Sequence, residues 1–496
     1  MSTSTAYADL SRRHQRMYRL GHLQAMAMWD QSANMPEKGN QARANALAEM
    51  GGLLHELATA PELKALLGQA EAEPLGDFEA ASLREMKRSW RASNALPQQL
   101  VEAMSLAASK SEHAWRSQRP ANDWTGHLPN FQEVVKLARE AAEHLSQATG
   151  LSRYDALMDQ YEPGMRSAEV ERVFADLKTW LPGLIRDVQA KQANETVIRP
   201  TGSFSKTAQR ELGFAAMKLM GFDFEAGRLD ESAHPFCGGV PEDVRMTTRY
   251  SDHDPIPALM GVIHETGHGR YEQNLPREWL GLPVANARSM GLHESQSLSF
   301  EMQLGSHPGF AKLLSPLVQK HLGSQPAFEP DNLHKLLTRV QPGFIRVDAD
   351  EVTYPAHVIL RFEIERGLME GQIEAADVPA LWNEKMQQLL GISTEGNYQN
   401  GCMQDVHWPS GLFGYVPCYT LGAMYASQWF ATMRRELPGL DAGIERGELK
   451  PVFDWLNAKV WSQGSRWETP ELVRRASGET LNPAHFQAHL RSRYLG

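Results

Sequence analysis

The spacing of two histidines, His264 and His268, constrains the local fold of this chain more than any other feature. On an α-helix, a separation of four residues puts both imidazoles on one face, where they can hold one cation at about 2.0 to 2.1 Å per nitrogen. Glu265 lies beside them and can reach a water bound to that cation. Pro255 and Pro257 suit the start of such a helix. The apolar residues of its far side are Leu259, Met260, Val262 and Ile263.

A catalytic metal site needs a third protein ligand and an open position for water. Asn274 stands where one known zinc-binding pattern places a third histidine, so a downstream carboxylate has to serve. Glu272 lies about two turns from His264, roughly 12 Å along the helix axis, which is too far to close a compact site. Glu294 begins a second helical pattern after the turn around Gly281 and can return antiparallel to present one oxygen.

These residues together predict a hydrolytic metal centre. The predicted metal ligands are His264, His268 and Glu294. Glu265 is the predicted general base, which takes a proton from the water. Glu272 and Glu301 are expected in supporting or solvent-facing positions. Zinc suits two histidines and one carboxylate, and ligand softness does not exclude cobalt.

Helical periodicity extends over most of the chain. It runs from Tyr7 to about Asn194 and returns after Pro257. Helix breaks in the amino-terminal half are predicted around Pro36, Pro120, Pro129, Pro163 and Pro182. The glycine-rich section in between contains an alternating run, Val244, Met246, Thr248 and Tyr250, which predicts a strand. A second glycine-rich segment, 391–419, is aromatic and of the kind that often carries function.

A mainly α-helical fold with one very small sheet follows from these patterns. We divide the chain by sequence character into a helical amino-terminal region, residues 1–195, and a catalytic region, residues 196–496, that carries the metal motif. We expect both regions to form one structural unit.

Composition excludes several classes of function. With 496 residues, a formal net charge of −10 at pH 7 and no basic stripe, the chain is not expected to bind nucleic acid. No stretch approaches the roughly 20 apolar residues that span a bilayer, and the arginine-rich start has no apolar signal core. Cys237, Cys402 and Cys418 are odd in number and widely spaced, which indicates neither a disulfide framework nor a cysteine zinc site. We expect a cytoplasmic protein without membrane contact.

Further motifs occur in a fixed order along the chain. They are Trp29-Asp30 with Met35-Pro36, His234-Pro235-Phe236, Asp243-Val244-Arg245-Met246-Thr247, the histidine motif, His293-Glu294-Ser295, Ile345-Arg346 with Ala349-Asp350-Glu351, and Gly401-Cys402-Met403-Gln404-Asp405-Val406-His407-Trp408. In these motifs the chain resembles the carboxypeptidase Taq family over nearly its whole length. An ordered series of motifs is far harder to obtain by chance than a single one.

The resemblance implies a mainly helical fold similar to neurolysin and the angiotensin-converting enzymes, with a long substrate groove above the metal and a very small sheet at its edge. Residues 1–195 are expected to form one wall of this groove and residues 196–496 the other. It also implies a metal-dependent carboxypeptidase of broad specificity that acts on peptides and forms a homodimer.

A carboxypeptidase has to recognise the terminal carboxylate of its substrate, and the planar fork of an arginine is suited to this. Arg346 and Arg245 are the candidates. By resemblance, Arg346 is the carboxylate anchor and Arg245 belongs to a wall that limits how far the substrate extends past the metal. A structural salt bridge is the alternative for each, with Asp243 as the partner of Arg245.

Three histidines and a tyrosine complete the candidate site. His407 or Tyr415 can donate a hydrogen bond to the oxyanion that forms during hydrolysis. His234 and His293 flank the metal motif and can contact the substrate backbone, with a hydrogen-bonded structural histidine as the alternative for both. The strand around Val244 offers an edge to which a peptide can add, which would weaken side-chain preference and disfavour proline.

Two other functions remain open at this point. An oligoendopeptidase or a dipeptidase can use the same metal centre, but an endopeptidase has no need of a carboxylate anchor such as Arg346. A catalytically silent binding or scaffold protein is the second alternative. It would require a blocked groove, because all three ligands and Glu265 are present.

Overall fold

A computed structural model of the chain describes residues 5–232 and 235–496. Up to position 195, the described residues form eight α-helices: α1 (Ala6–Ala33), α2 (Asn40–Ala58), α3 (Leu63–Ala70), α4 (Asp77–Ala95), α5 (Gln98–Gln118), α6 (Trp124–Thr149), α7 (Arg153–Met158) and α8 (Ser167–Gln192). Three of them begin at side-chain caps, because Thr5, Asp123 and Ser152 each accept a hydrogen bond from a backbone N–H of the first turn. The helical periodicity of this region is confirmed.

Proline positions only partly mark the helix ends. The breaks predicted at Pro36, Pro120 and Pro163 are confirmed, since these residues lie between helices. The breaks at Pro129 and Pro182 are wrong, because these prolines lie inside α6 and α8. A proline in a helix loses one backbone hydrogen bond. Around Pro182, the burial of the leucine and isoleucine side chains on either side offsets that loss.

The described residues of the glycine-rich section form the small sheet. Its strands are β1 (Gly227–Glu231), β2 (Phe236–Val240) and β3 (Asp243–Thr248). The predicted strand is β3, but it lies in the middle, with β1 parallel and β2 antiparallel to it. The prediction of a sheet edge at Val244 is therefore wrong. Its partners carry little β-propensity, because β2 contains Gly238 and Gly239 and β1 contains two acidic residues.

The remaining described helices are α9 (Lys206–Leu219), α10 (Ile256–Gln273), α11 (Met290–Leu298), α12 (Pro308–Leu322), α13 (Pro330–Leu337), α14 (Tyr354–Met369), α15 (Val378–Leu390), α16 (Pro417–Glu436), α17 (Leu440–Glu445), α18 (Lys450–Lys459), α19 (Thr469–Ser477) and α20 (Ala484–Leu495). A π-helix, Ser299–Gly305, continues α11. Short 3-10 turns span Glu37–Gly39, Arg277–Trp279, Pro283–Ala285, Pro326–Phe328, Arg346–Asp348, Ala375–Asp377 and Trp461–Gln463.

A continuous apolar core includes residues from both regions of the chain, from Trp115 in α5 to Tyr494 in α20. A smaller cluster packs α1, α3 and α4 against Leu282 and Val284. Within the described ranges, none of the helices combines the length and apolar character that a membrane span requires. The expected mainly helical fold with a very small sheet is confirmed.

Helix α20 is held in place by a buried carboxylate, Glu351, which precedes α14. One carboxylate oxygen lies 2.6 Å from His489 Nε2, and the other accepts from the Tyr494 hydroxyl at 2.9 Å and pairs with Arg493 at 3.1 Å. Arg493 also donates to two carbonyls of the π-helix. Burial alone would raise the pKa of Glu351, but His489 and Arg493 outweigh it and lower the pKa to about 2. The carboxyl-terminal helix is thus fastened to the π-helix.

Replacing Glu351 with glutamine should lower the free energy of unfolding by about 3 to 5 kcal/mol, because Arg493 then stays buried without its carboxylate. The depressed pKa makes the stabilisation pH-dependent: it is present above the ordinary glutamate pKa and is lost as the pH falls towards about 2. Urea unfolding measures both effects. Glu448→Gln removes an exposed ion pair with Arg446 and is the matched control, with a much smaller expected loss because solvent screens that pair. Equal losses from the two variants would contradict this role for Glu351.

Candidate metal centre

Helix α10 presents the two histidines of the sequence motif. Pro257 lies in its first turn, where the missing N–H has no helical partner. Leu259 and Ile263 pack into the core and fix the orientation of the helix. The rings of His264 and His268 lie with centroids 5.0 Å apart.

Helix α11 supplies the third predicted ligand. Ser289 caps this helix by accepting a hydrogen bond from the backbone N–H of Leu292 at 2.9 Å. The carboxylate of Glu294 lies 3.4 Å from His268 Nε2 and 4.0 Å from His264 Nε2. One ligand atom from each of these three side chains falls within 4.8 Å of the other two. The structure therefore brings the three predicted metal ligands together.

Two glycines allow the helices around the centre to approach this closely. A Cβ on Gly267 of α10 would lie 2.4 Å from the carbonyl oxygen of Gln296 and 2.6 Å from Ser297 Cα, both in the backbone of α11. A Cβ on Gly422 of α16 would lie 2.7 Å from the Cβ and Cγ atoms of Glu294. Any side chain at either glycine would displace α11 or Glu294 itself.

Further side chains orient the imidazoles of His264 and His268 through hydrogen bonds at Nδ1. His264 Nδ1 lies 2.7 Å from Glu301 in the π-helix. His268 Nδ1 lies 2.6 Å from His293 Nδ1, and His293 Nε2 lies 2.7 Å from Glu272. Hydrogen bonds at Nδ1 leave Nε2 of both ligands for a metal and hold the rings in place. Glu301 and Glu272 thus occupy supporting positions, and His293 has the hydrogen-bonded position that was its alternative.

The ionisable groups of the centre are strongly coupled. Burial alone would lower the pKa of His264, but Glu294, Glu301 and Glu265 outweigh it and raise the pKa to about 10. Burial lowers the pKa of His268 to about 4. Burial alone would raise the pKa of Glu294, but the two histidines hold it below its ordinary value. The centre concentrates negative charge that a divalent cation would neutralise.

Glu265 is almost fully buried, and its Oε2 has no hydrogen-bond partner among the described residues. Burial raises its pKa to about 7. A carboxyl group with a pKa near neutrality can both accept and return a proton. Burial and the charge of Glu265 raise the pKa of Cys237, so the carboxylate lies near strand β2.

The residues of the centre fit a divalent metal. Two imidazoles and one carboxylate converge, each imidazole has a hydrogen-bond partner behind it, and an unpaired carboxylate lies alongside. Three protein ligands leave a position for water, as catalytic sites require.

Arg346, the predicted carboxylate anchor, is buried, with its side chain 5% exposed. Its Nε and one terminal nitrogen lie 2.8 and 2.7 Å from Asp405, and the other terminal nitrogen donates to the Tyr354 hydroxyl at 2.6 Å. Arg361 pairs with the same carboxylate oxygen. Burial alone would raise the pKa of Asp405, but the two guanidiniums hold it well below its ordinary value. The Asp405 carboxylate thus pairs with both arginines. The arginine cluster, Arg346, Arg361 and Asp405, keeps a net charge of +1.

The aromatic loop before α16 places His407 and Tyr415 next to this arginine cluster. His407 stacks on Tyr419 with ring centroids 6.0 Å apart, and Arg346 lies 4.6 Å from the centre of the same tyrosine ring. Tyr415 meets Tyr419 edge-on at 5.3 Å. Burial, followed by the charges of Tyr419 and Glu294, raises the pKa of Tyr415 well above its ordinary value. The Tyr415 phenol therefore stays protonated and lies near a metal ligand.

Arg245, another predicted substrate-binding residue, lies in strand β3. Arg245 pairs through two of its nitrogens with the two carboxylate oxygens of Asp243, and its guanidinium lies 4.6 Å from the ring of Trp29 in α1. This ion pair is the alternative that the sequence left open for Arg245. His234 lies outside the described residues.

Several residues of the arginine cluster were missed in the sequence. Asp405 stands in the same motif as His407, and that position was its only signal. Arg361 is the sole charged residue in the apolar run 358–362, which could have marked it as paired and buried. Tyr419 is the last residue of the aromatic segment 391–419, which was its signal, whereas Tyr354 carried no comparable one.

A helical fold that presents two histidines, an adjacent glutamate and a downstream glutamate to one metal position defines a metallopeptidase. A family model described as Carboxypeptidase Taq (M32) metallopeptidase matches residues 9–494. The chain belongs to this family and is a hydrolase of the metallocarboxypeptidase class.

Relatives cover essentially the whole chain. Thermostable carboxypeptidase 1 of Thermus thermophilus is 38% identical over 510 residues, which cover 100% of this chain and 99% of that protein. Among solved structures, metallocarboxypeptidase 1 of Trypanosoma cruzi has a TM-score of 0.97 at 45% identity and covers 99% of both chains. The M32 carboxypeptidase of Deinococcus radiodurans has a TM-score of 0.94 at 30% identity, with the same coverage.

Gly267→Ala should weaken metal binding at least about tenfold, because the new Cβ pushes α11 and its Glu294 away from α10. It should also lower the free energy of unfolding by about 1 to 3 kcal/mol through overpacking. Metal titration and urea unfolding measure the two effects. Gly261→Ala, on the same helix with nothing within 4 Å of its Cβ, is the matched control. It should bind metal normally, and unchanged metal affinity in Gly267→Ala would rule out this role for the glycine.

Proposed function

We propose that this protein releases single amino acids from the free carboxyl end of peptides, with broad side-chain preference. One observation carries the proposal: three ligand atoms lie within 4.8 Å of one another beside the buried, unpaired carboxylate of Glu265. Zinc is the proposed metal, and cobalt is compatible with the same ligands. His264, His268 and Glu294 would hold it.

Glu265 is the proposed general base. A metal bound at the three ligands would lower the pKa of a water and polarise the carbonyl of the peptide bond that is cleaved. Glu265 takes the proton of the attacking water and passes it to the nitrogen of the leaving amino acid. Its pKa of about 7 suits both transfers near neutral pH.

The oxyanion that develops on the substrate carbonyl needs a hydrogen-bond donor from the protein. Tyr415 is the better candidate, because its phenol stays protonated and its pKa responds to the charge of Glu294. His407 is the second candidate, but its ring nitrogens already lie 3.4 Å from Arg361 and 3.3 Å from the Tyr419 hydroxyl.

The arginine cluster is the proposed site for the terminal carboxylate of the substrate. Arg346 and Arg361 share Asp405, so the cluster keeps one positive charge that the carboxylate can balance. An arginine has five N–H donors, and Arg346 uses three of them on Asp405 and Tyr354, which leaves two for the substrate.

Strand β2 is the better candidate for pairing with an extended peptide. It is an outer strand, and its Cys237 lies near enough to Glu265 for their charges to interact. Main-chain pairing reads no side chains, which suits broad specificity, and a proline would lack the N–H that pairing uses. Arg245, fixed between Asp243 and Trp29, is the proposed wall that limits substrate extension.

The setting of the enzyme is also inferred. Three free cysteines suit the reducing cytoplasm. The amino-terminal region, residues 1–195, is proposed as one wall of the groove and the catalytic region, residues 196–496, as the other, because Trp29 of the first contacts Arg245 of the second. A homodimer is proposed from the likeness to the carboxypeptidase Taq family.

Two competing functions make different demands on these residues. An oligoendopeptidase or dipeptidase would share the metal ligands and Glu265, but an endopeptidase would have no use for the surplus positive charge at Arg346. A silent binding protein would have no use for a general base with a pKa near 7.

Glu265→Gln should retain one metal per chain and lose about 10²- to 10⁴-fold in turnover of an N-acylated dipeptide, because the base is removed and the ligands stay. Amino acid release and metal content measure the two properties. The wild-type enzyme should release amino acid from the free acid and not from its C-terminal amide. Cleavage of the amide at a comparable rate would support an endopeptidase instead.

Arg346→Lys keeps the charge but loses the planar fork, so KM for the free-acid peptide should rise about tenfold or more, with a smaller change in kcat. Steady-state kinetics of the metal-loaded enzyme separate the two constants. Arg339→Lys, a matched change at a residue that donates to the backbone carbonyl of Gln192, should leave KM within about twofold. An unchanged KM in Arg346→Lys would refute the anchor role.

A further inference from the structure

A cavity of about 340 Å³ lies in the amino-terminal region of the molecule, between α1, α3, α4 and the segment 281–288 that leads to α11. Within the described ranges, none of its lining residues belongs to the metal centre or to the arginine cluster at Arg346. Much of its wall is apolar, including Leu10, Leu67, Met86 and Leu282. A cavity of this volume and composition suits a small molecule with an apolar moiety.

Three arginines meet one buried carboxylate at the edge of this cavity. Glu85, 6% exposed, accepts hydrogen bonds from the Nε atoms of Arg84 at 2.7 Å, Arg288 at 2.8 Å and Arg88 at 3.0 Å. Burial alone would raise the pKa of Glu85, but Arg288 and Arg84 hold it below its ordinary value, so it is ionised. Glu162 also interacts with Arg288, and it accepts a hydrogen bond from the Ser289 hydroxyl. Even with both acids ionised, positive charge exceeds negative charge here.

Two of these arginines line the cavity and keep donors free. Arg288, with its side chain 8% exposed, uses Nε for Glu85 and one terminal nitrogen for the carbonyl of Pro163. Arg88 uses Nε for Glu85 and one terminal nitrogen for the carbonyl of Asp159. The second terminal nitrogen of each has no hydrogen-bond partner among the described residues. The Arg88 side chain is 34% exposed, so a ligand can reach it, and a guanidinium with free donors binds a carboxylate through charge-assisted hydrogen bonds.

We propose that this cavity binds a short apolar monocarboxylate, with the carboxylate on Arg88 and Arg288 and the alkyl chain against Met17 and Trp90, which line the cavity and are only partly buried. The volume is large enough to admit a branched acid of about six carbons. The amino end of a peptide does not match, because its ammonium would meet the surplus positive charge. Two kinds of ligand carry both a carboxylate and a branched alkyl chain: a free amino acid such as leucine, and an acid without the amino group such as 4-methylpentanoate. The surplus positive charge favours the second.

Calorimetric titration of the metal-loaded full chain tests the proposal with three probes: 4-methylpentanoate, leucine and 4-methylpentanamide. We expect one site per chain for 4-methylpentanoate, weaker binding of leucine, and at least about tenfold weaker binding of the amide, which lacks the charge. Arg88→Gln should weaken the acid about tenfold. Arg91→Gln, the same change at an exposed residue of α4 that does not line the cavity, should leave its affinity unchanged.

A second variant separates this cavity from the metal centre, which can also bind carboxylates. Ala287 lines the cavity, and Ala287→Met should narrow it and weaken binding of the acid about tenfold while metal content stays at one per chain. A signal whose affinity is unchanged in both Arg88→Gln and Ala287→Met belongs to the metal centre and overturns the proposal. Equal affinity for acid and amide, tighter binding of leucine than of 4-methylpentanoate, or no binding of the acid would also overturn it.

Discussion

The contact between α10 and α11 at Gly267 is the constraint on which the centre depends. At this point the backbones lie so close that a single Cβ has no room. The approach sets the 3.4 Å separation between His268 and Glu294, and Gly422 of α16 closes the same carboxylate in from the other side. Protein interiors are close-packed, so helices held on two sides cannot relax independently. The ligand geometry is therefore a property of helix packing more than of the ligands themselves.

The local portion of the site could be predicted from the sequence because it follows helical periodicity. His264, Glu265 and His268 lie within one turn, and Glu294 was found by the geometric exclusion of Glu272. The arginine cluster could not be found in this way. Asp405 meets Arg346 across 59 positions and Arg361 across 44, and no periodicity links such distant residues. The motif around Asp405 indicated that this residue matters, but it did not indicate which residues Asp405 contacts.

The fold shows the same division between local and distant information. The helices followed from apolar spacing, whereas the pairing in the sheet was missed because β1 and β2 are poor in strand-forming residues. The π-helix after α11 has no signature in apolar spacing either. Its extra residue per turn is visible only in three dimensions, where it presents Glu301 to His264 and receives Arg493 from α20. Helix α20 thus supports the metal ligand His264 through the π-helix.

Because Asp405 is shared by two arginines, the cluster disfavours molecules that lack a free carboxylate. The cluster is buried with a net charge of +1, so a molecule that covers it without a carboxylate leaves that charge unbalanced and cut off from solvent. Such a molecule is penalised even if its other contacts with the protein are good. Selectivity for free carboxyl ends would then come from the exclusion of other peptides. A capped end or an internal segment would bind poorly because it leaves the positive charge of the cluster unpaired.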